Sequence, residues 1–135
     1  QFAPNGRWIA YASNASGRFE VYVQPFPRPG GTWQVSTAGG GQPRWRHDGQ
    51  ELFYVGPDGA LLAAPIALAP DGQTVALGKP VALFVPKIAG GGAGLVTDKH
   101  QYAVARDGQR FLINVTTDEG SGAPITVVLN WTPKK

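Results

Sequence analysis

The chain has 135 residues and a mass of 14.3 kDa, which is room for one domain and no second sizeable core. Charged residues make up 16% against 42% hydrophobic, which argues against disorder through charge excess, and a formal charge of +3 scattered along the chain leaves no nucleic-acid footprint. There is no cysteine, so disulfide scaffolds, thiolate zinc sites, iron-sulfur clusters and cysteine nucleophiles are excluded together.

The 19 glycines and 12 prolines fall at many separate places and leave no uninterrupted window for a long helix, so turns and short strands are expected. No apolar run approaches the length of a membrane span, and the first residues lack the basic and apolar regions of a signal peptide. The sequence begins at Gln1, contains no methionine, and is read as a piece of a longer polypeptide.

Self-similarity organises the chain. Ala3-Pro4-Asn5-Gly6-Arg7-Trp8-Ile9-Ala10-Tyr11 returns as Arg46-His47-Asp48-Gly49-Gln50-Glu51-Leu52-Phe53-Tyr54 and again as Ala105-Arg106-Asp107-Gly108-Gln109-Arg110-Phe111-Leu112-Ile113. Each copy is an Asn-Gly or Asp-Gly turn followed by an apolar run rich in strand formers, the strongest short-range hairpin signal. Gly6 and Gly49 lie about 43 residues apart, the period of a four-stranded propeller blade. Gly108 follows after about 59, so the second unit carries an insertion of about sixteen residues. That surplus is placed at an extra turn, Ala69-Pro70-Asp71-Gly72-Gln73, and at the glycine run 90–94.

With strands lettered A to D within each unit, the first unit predicts B at 8–12, C at 19–25 and D at 32–36, with only residues 1–3 for its A strand. The second predicts A at 42–46, B at 51–55, C at 60–67 and D at 81–85. The third predicts A at 101–105, B at 110–115 and C at 126–131. The run Leu52-Phe53-Tyr54-Val55 is apolar on both parities, as expected of a sheet packed on both faces.

These residues resemble the TolB-type (WD40-like) propeller repeat, whose mark is a Ser-Pro-Asp-Gly turn, a large apolar residue and a tyrosine a few positions on. Phe2 to Tyr11 is close to that pattern, with Asn5 for the usual Asp, and the resemblance covers almost the whole chain. Val21-Tyr22-Val23-Gln24-Pro25-Phe26-Pro27 and Ile125 to Trp131 are similar to the C-terminal blades of propellers attached to bacterial serine/threonine kinases. Arg46-His47 and Ala105-Arg106 depart from the family's Ser-Pro. The resemblance implies an all-β fold of about three four-stranded antiparallel blades, half of a six-bladed β-propeller. It divides a single partial domain, 1–135, into blades at about 1–38, 39–98 and 99–135. It also favours an extracytoplasmic (periplasmic) compartment.

Catalytic and metal signatures are missing from the sequence. His47 and His100 are the only histidines, a whole repeat apart, with no paired-ligand spacing. Ser13, Ser16, Ser36 and Ser121 lie in no Gly-x-Ser-x-Gly elbow. Asp48, Asp58, Asp71 and Asp107 each precede a glycine, and turn stabilisation explains them better than calcium, for which the oxygen-rich loop is lacking. Gly39-Gly40-Gly41 and Gly90-Gly91-Gly92 are followed by no phosphate-binding motif and read as loops between blades. Trp8, Trp33 and Trp131 are assigned to core packing, whereas Trp45, between Arg44 and Arg46 on an innermost strand, is expected to turn one face to the channel.

Strands running alternately up and down send D-to-A and B-to-C loops to one end, and A-to-B and C-to-D loops to the other. The first end is longer in its loops and richer in Arg, Lys and Asn, and function tends to sit on such loops. Arg18, Gln42, Arg44, Trp45 and Lys99 are the ligand-face candidates. The expected function is non-catalytic binding of a protein or peptide, without cofactor, metal, nucleic acid or direct membrane contact. The alternative is an accessory propeller gating a hydrolase or peptidase domain elsewhere in the parent chain. A third reading, an enzymatic propeller, lacks the carboxylates expected on A strands. Since a ring needs more than three blades, self-association as a homodimer is also expected.

Overall fold

The computed structural model describes residues 1–28, 30–88 and 100–116, and the backbone of 126–128. The expected glycine run at 90–94, the loop within 117–125 and the end of the last C strand at 129–131 lie outside the described residues, as does Lys99. Eleven strands and no helix are found among the described residues, so the chain is all-β.

Sheet one is an antiparallel meander of β1 (Trp8–Ser13), β2 (Glu20–Pro25) and β3 (Trp33–Gln34). Phe2 adds a single antiparallel bridge to Ile9, which is all that forms of an A strand in the first unit. Sheet two contains β4 (Gly41–Trp45), β5 (Glu51–Val55), β6 (Leu61–Leu68), β7 (Val75–Leu77) and β8 (Val81–Phe84). Sheet three is β9 (Tyr102–Val104), β10 (Phe111–Ile113) and β11 (Thr126–Val128), with β10 in the middle.

The fifth strand of sheet two departs from the expected four. The long β6 carries two partners along one edge: Leu61 to Ala63 pair with β8, and Ile66 to Leu68 pair with β7. The insertion therefore extends the sheet as a hairpin instead of forming a bare turn. Its Asp71-Gly72 turn sits between two apolar runs, the same signature that starts each repeat.

The repeat is physical as well as textual. At each turn the glycine N–H donates to the carbonyl three residues back: Gly6 to Ala3, Gly49 to Arg46 and Gly108 to Ala105, at 2.9 Å in all three. The residue after the glycine donates its N–H to the Asn5, Asp48 or Asp107 side chain, two positions before it. All three glycines have left-handed φ, between 67° and 73°, where a β-carbon is unfavourable. At Gly108 an added Cβ would also fall 2.5 Å from Cδ of Arg46.

Two apolar clusters hold the sheets face to face. The first joins sheets one and two: Trp8, Ala10, Val21 and Val23 on one side meet Trp45, Leu52, Tyr54, Ala64 and Ile66 on the other. The second joins sheets two and three, where Phe53, Val55, Leu61 and Ala63 meet Tyr102, Phe111 and Ile113. Leu52 and Tyr54 go one way, Phe53 and Val55 the other, as strand alternation requires. Phe53 and Phe111 meet edge to face with centroids 5.1 Å apart, and Phe84 covers Phe111 from the side at 5.8 Å. Trp8 is fully buried as expected, although its indole N–H finds no acceptor, and Trp33 lies tilted against it at 5.4 Å.

Phe53→Ala is expected to cost about 3–5 kcal/mol by opening the second junction. Val81→Ala, at a position 54% exposed on β8, should change stability by about 0.5 kcal/mol or less. Urea titration of the two variants checks the contrast.

Candidate functional site

Loop residues gather in two grooves. Thr37 to Gly39, Gly56 to Asp58 and Lys79-Pro80 share one groove of about 340 Å³, floored by Tyr54, Leu62 and Ala82. Arg7, Phe26 to Arg28 and the Asp71-Gly72-Gln73 turn share another of about 370 Å³.

Of the proposed ligand residues, Gln42 and Arg44 come together on β4, at its unpaired edge facing sheet three. Gln42 has φ +54°, unusual outside glycine, which throws its side chain across the junction. Its Oε1 accepts from the Gln101 N–H at 2.9 Å, and its carbonyl accepts from the Tyr102 hydroxyl at 2.8 Å. Gln42 is thus a latch between sheets two and three. Tyr102 is buried, and burial holds its phenol protonated far above the usual range.

Arg44 is half-buried beside this latch. Its Nε donates to the Tyr102 carbonyl over a long 3.4 Å, and it makes no ion pair among the described residues. Burial lowers its pKa, although a guanidinium remains charged. The surrounding groups are cationic or neutral. Burial lowers the His100 imidazole, and the Arg44 charge pushes it down further. Arg44 therefore sets up a local positive potential that no carboxylate in the described residues balances.

Trp45 does not present a free face. It is 6% exposed, packed between sheets one and two; its N–H donates to Gln1 Oε1 at 3.0 Å and its indole N–H to the Gln1 carbonyl at 3.1 Å. The strand alternation that turns Arg44 outward turns Trp45 into the core.

Arg18 belongs to a separate cluster. Glu20, only 1% exposed, accepts from Arg18 Nε at 2.6 Å, from the Gly39 N–H at 3.0 Å and from the Ser36 hydroxyl in a very short contact. The Ser36 oxygen in turn accepts from the Val21 N–H at 2.8 Å, and Arg18 also donates to the Thr37 carbonyl at 2.7 Å. This network pins the loop between β3 and β4 onto β2. Sequence reasoning missed Glu20 because nothing in an alternating strand marks one carboxylate as buried; Ser36 at the end of the expected D strand was the available hint. Burial alone would raise the Glu20 carboxyl, but the Ser36, Arg18 and Gly39 hydrogen bonds and the Arg18 charge outweigh it and hold it low. The Glu20 charge and burial together push the Tyr54 phenol up to about 12, burial being the larger cause.

No protein-family model matches the chain, and no curated protein matches it either.

A carboxyl held low in the folded state stabilises the fold above its unfolded pKa and loses that contribution as pH falls through the folded value. Glu20→Gln is accordingly expected to cost about 1–3 kcal/mol at pH 7. The gap to the parent chain should narrow as pH falls below the ordinary value of 4.5. Thermal unfolding of both proteins across pH 3–7 measures the closing gap.

Proposed function

We propose that the chain is a non-catalytic binding module, part of a TolB-type β-propeller, and that it takes a protein or peptide carrying an exposed carboxylate. The observation behind this reading is Arg44: a half-buried guanidinium with one long hydrogen bond and no carboxylate partner among the described residues. A charge withdrawn from water is costly unless paired, and a guanidinium offers a planar fork suited to a carboxylate. Gln42 and Tyr102 hold the guanidinium's surroundings rigid, so little ordering is left for the moment of binding. In this reading the three sheets are blades and β4 and β9 are their innermost strands, so Arg44 faces the central channel. Arg18 serves the fold through Glu20 and is not part of the binding surface.

A peptide array spanning acidic, neutral and basic sequences, probed with the purified chain, tests this. Acidic peptides are expected to be retained preferentially. Arg44→Ala should weaken the best of them by about tenfold or more, and Arg28→Ala, at the other end of the sheets, should not. Equal losses in the two variants, or preference for basic peptides, would contradict it.

A further inference from the structure

The groove floored by Tyr54, Leu62 and Ala82 opens on the face of sheet two that sheet one covers only in part. The three residues form one cross-strand row, Tyr54 opposite Leu62 on β6 and Leu62 opposite Ala82 on β8. The last strand of sheet one, β3, has only two residues, and the chain turns back through Val35 to Gly40 to start β4. Cover is therefore lost outward along the row: Tyr54 is buried, Leu62 half-buried and Ala82 exposed.

Tyr54 is only 2% exposed, yet its hydroxyl has no hydrogen-bond partner among the described residues. The hydroxyl is not sealed in either: the fully enclosed polar side-chain atom without a partner is the Trp8 indole nitrogen, so the Tyr54 oxygen opens on the groove that Tyr54 lines. Glu20 lies near enough for its charge to act on the phenol, but its oxygens already serve Ser36, Arg18 and Gly39. A phenol in apolar surroundings gains from an acceptor that reaches it. The walls are fixed in advance. Glu20 holds the Gly39 N–H and Arg18 the Thr37 carbonyl; opposite them, the Gly59 N–H donates to the Gly56 carbonyl and the Ala60 N–H to Asp58 Oδ1, both at 3.0 Å. Glycine keeps the floor clear, since a Cβ at Gly40 would fall 2.8 Å from the Tyr54 ring and one at Gly56 2.9 Å from Leu62.

We propose that this groove is a second recognition site, which takes one apolar side chain of an extended peptide and lends the Tyr54 hydroxyl to a backbone carbonyl of the same peptide. Its volume of about 340 Å³ stands at the small end for ligand pockets and suits one residue with its backbone. Lys79 and Asp58 are its charged residues, one of each sign, and neither makes an ion pair among the described residues. The rim is thus balanced in charge and matches a neutral segment. Burial of the apolar side chain supplies the affinity, and the hydroxyl fixes where the backbone lies. Fixed walls leave little to be ordered on binding. The inference rests on the reading of the chain as a peptide binder but on none of its residues, since Arg44 lies on the β4 edge toward sheet three and the groove on the face toward sheet one.

The probe is an uncharged peptide, Gly-Leu-Gly acetylated at its N-terminus and amidated at its C-terminus, titrated to about 10 mM into the ¹⁵N-labelled chain while amide shifts are followed. Saturable shifts are expected at Gly39, Gly56 and Ala82, and none at Gln101 and Tyr102. The same peptide with serine in place of leucine should bind about tenfold more weakly. Tyr54→Phe should weaken the leucine peptide about fivefold without lowering the thermal midpoint, because the hydroxyl has no partner in the free chain to lose. Ala82→Trp, which fills the groove from an exposed strand position, should abolish binding. No saturable shift, shifts centred on the β4 and β9 edges, equal affinity for the two peptides, or a Tyr54→Phe chain that binds as well as the parent would overturn the proposal. Because the probe carries no carboxylate, its failure leaves the Arg44 reading standing, and failure of acidic peptides to find Arg44 leaves this one standing.

Discussion

Four consecutive apolar side chains on one strand, Leu52 to Val55, cannot be kept from water by a sheet with only one covered face. Each is 2% exposed or less. Burying residues of this size is worth about 1.5–3 kcal/mol apiece, and the alternation of β5 sends half of that gain to each side. Sheet two must therefore sit between two others, and sheets one and three are placed by this demand. Their own strands β1 and β10 bury one parity of side chains and leave the other wetter, as Tyr11 and Leu112 show.

Face-to-face packing leaves the strand edges to be satisfied, since backbone groups removed from water need partners. Along the edges of β4 and β9, side chains supply them. Gln1 brackets Trp45 between its carbonyl and side-chain oxygen, and Gln42 reaches from β4 to the amide of Gln101. The same edge carries Arg44, whose guanidinium is left over once the amides are served. The candidate binding group is thus a by-product of how the sheets are joined, and its rigidity comes from that joining.

Much of the fold was legible from the turn signature. Asn5-Gly6, Asp48-Gly49 and Asp107-Gly108 fix hairpins by local geometry, so β5 falls on its expected bounds and β1 exceeds them by one residue. The double-sided packing was legible from Leu52 to Val55. The hairpin joining β6 to β7 was missed because the Asp71-Gly72 turn was read without the Val75 to Leu77 run behind it. The candidate site was less legible. Which polar residue serves the fold depends on what the chain brings opposite it: Arg18 meets Glu20 two residues away, Gln42 meets Gln101 across two sheets, and Trp45 turns inward while Arg44 does not. Spacing along a strand gives the face of a side chain and says nothing of its partner.

The stacking of the three sheets depends on successive residues of β5 packing against different sheets, and nuclear Overhauser contacts from that single strand test it directly. Leu52 methyl protons should contact the Val21, Val23 and Trp8 cluster, and the Phe53 ring should contact Phe111, whose centroid lies 5.1 Å away. Contacts from both residues to the same sheet, or a Phe53 ring with no contact to Phe111, would contradict this packing.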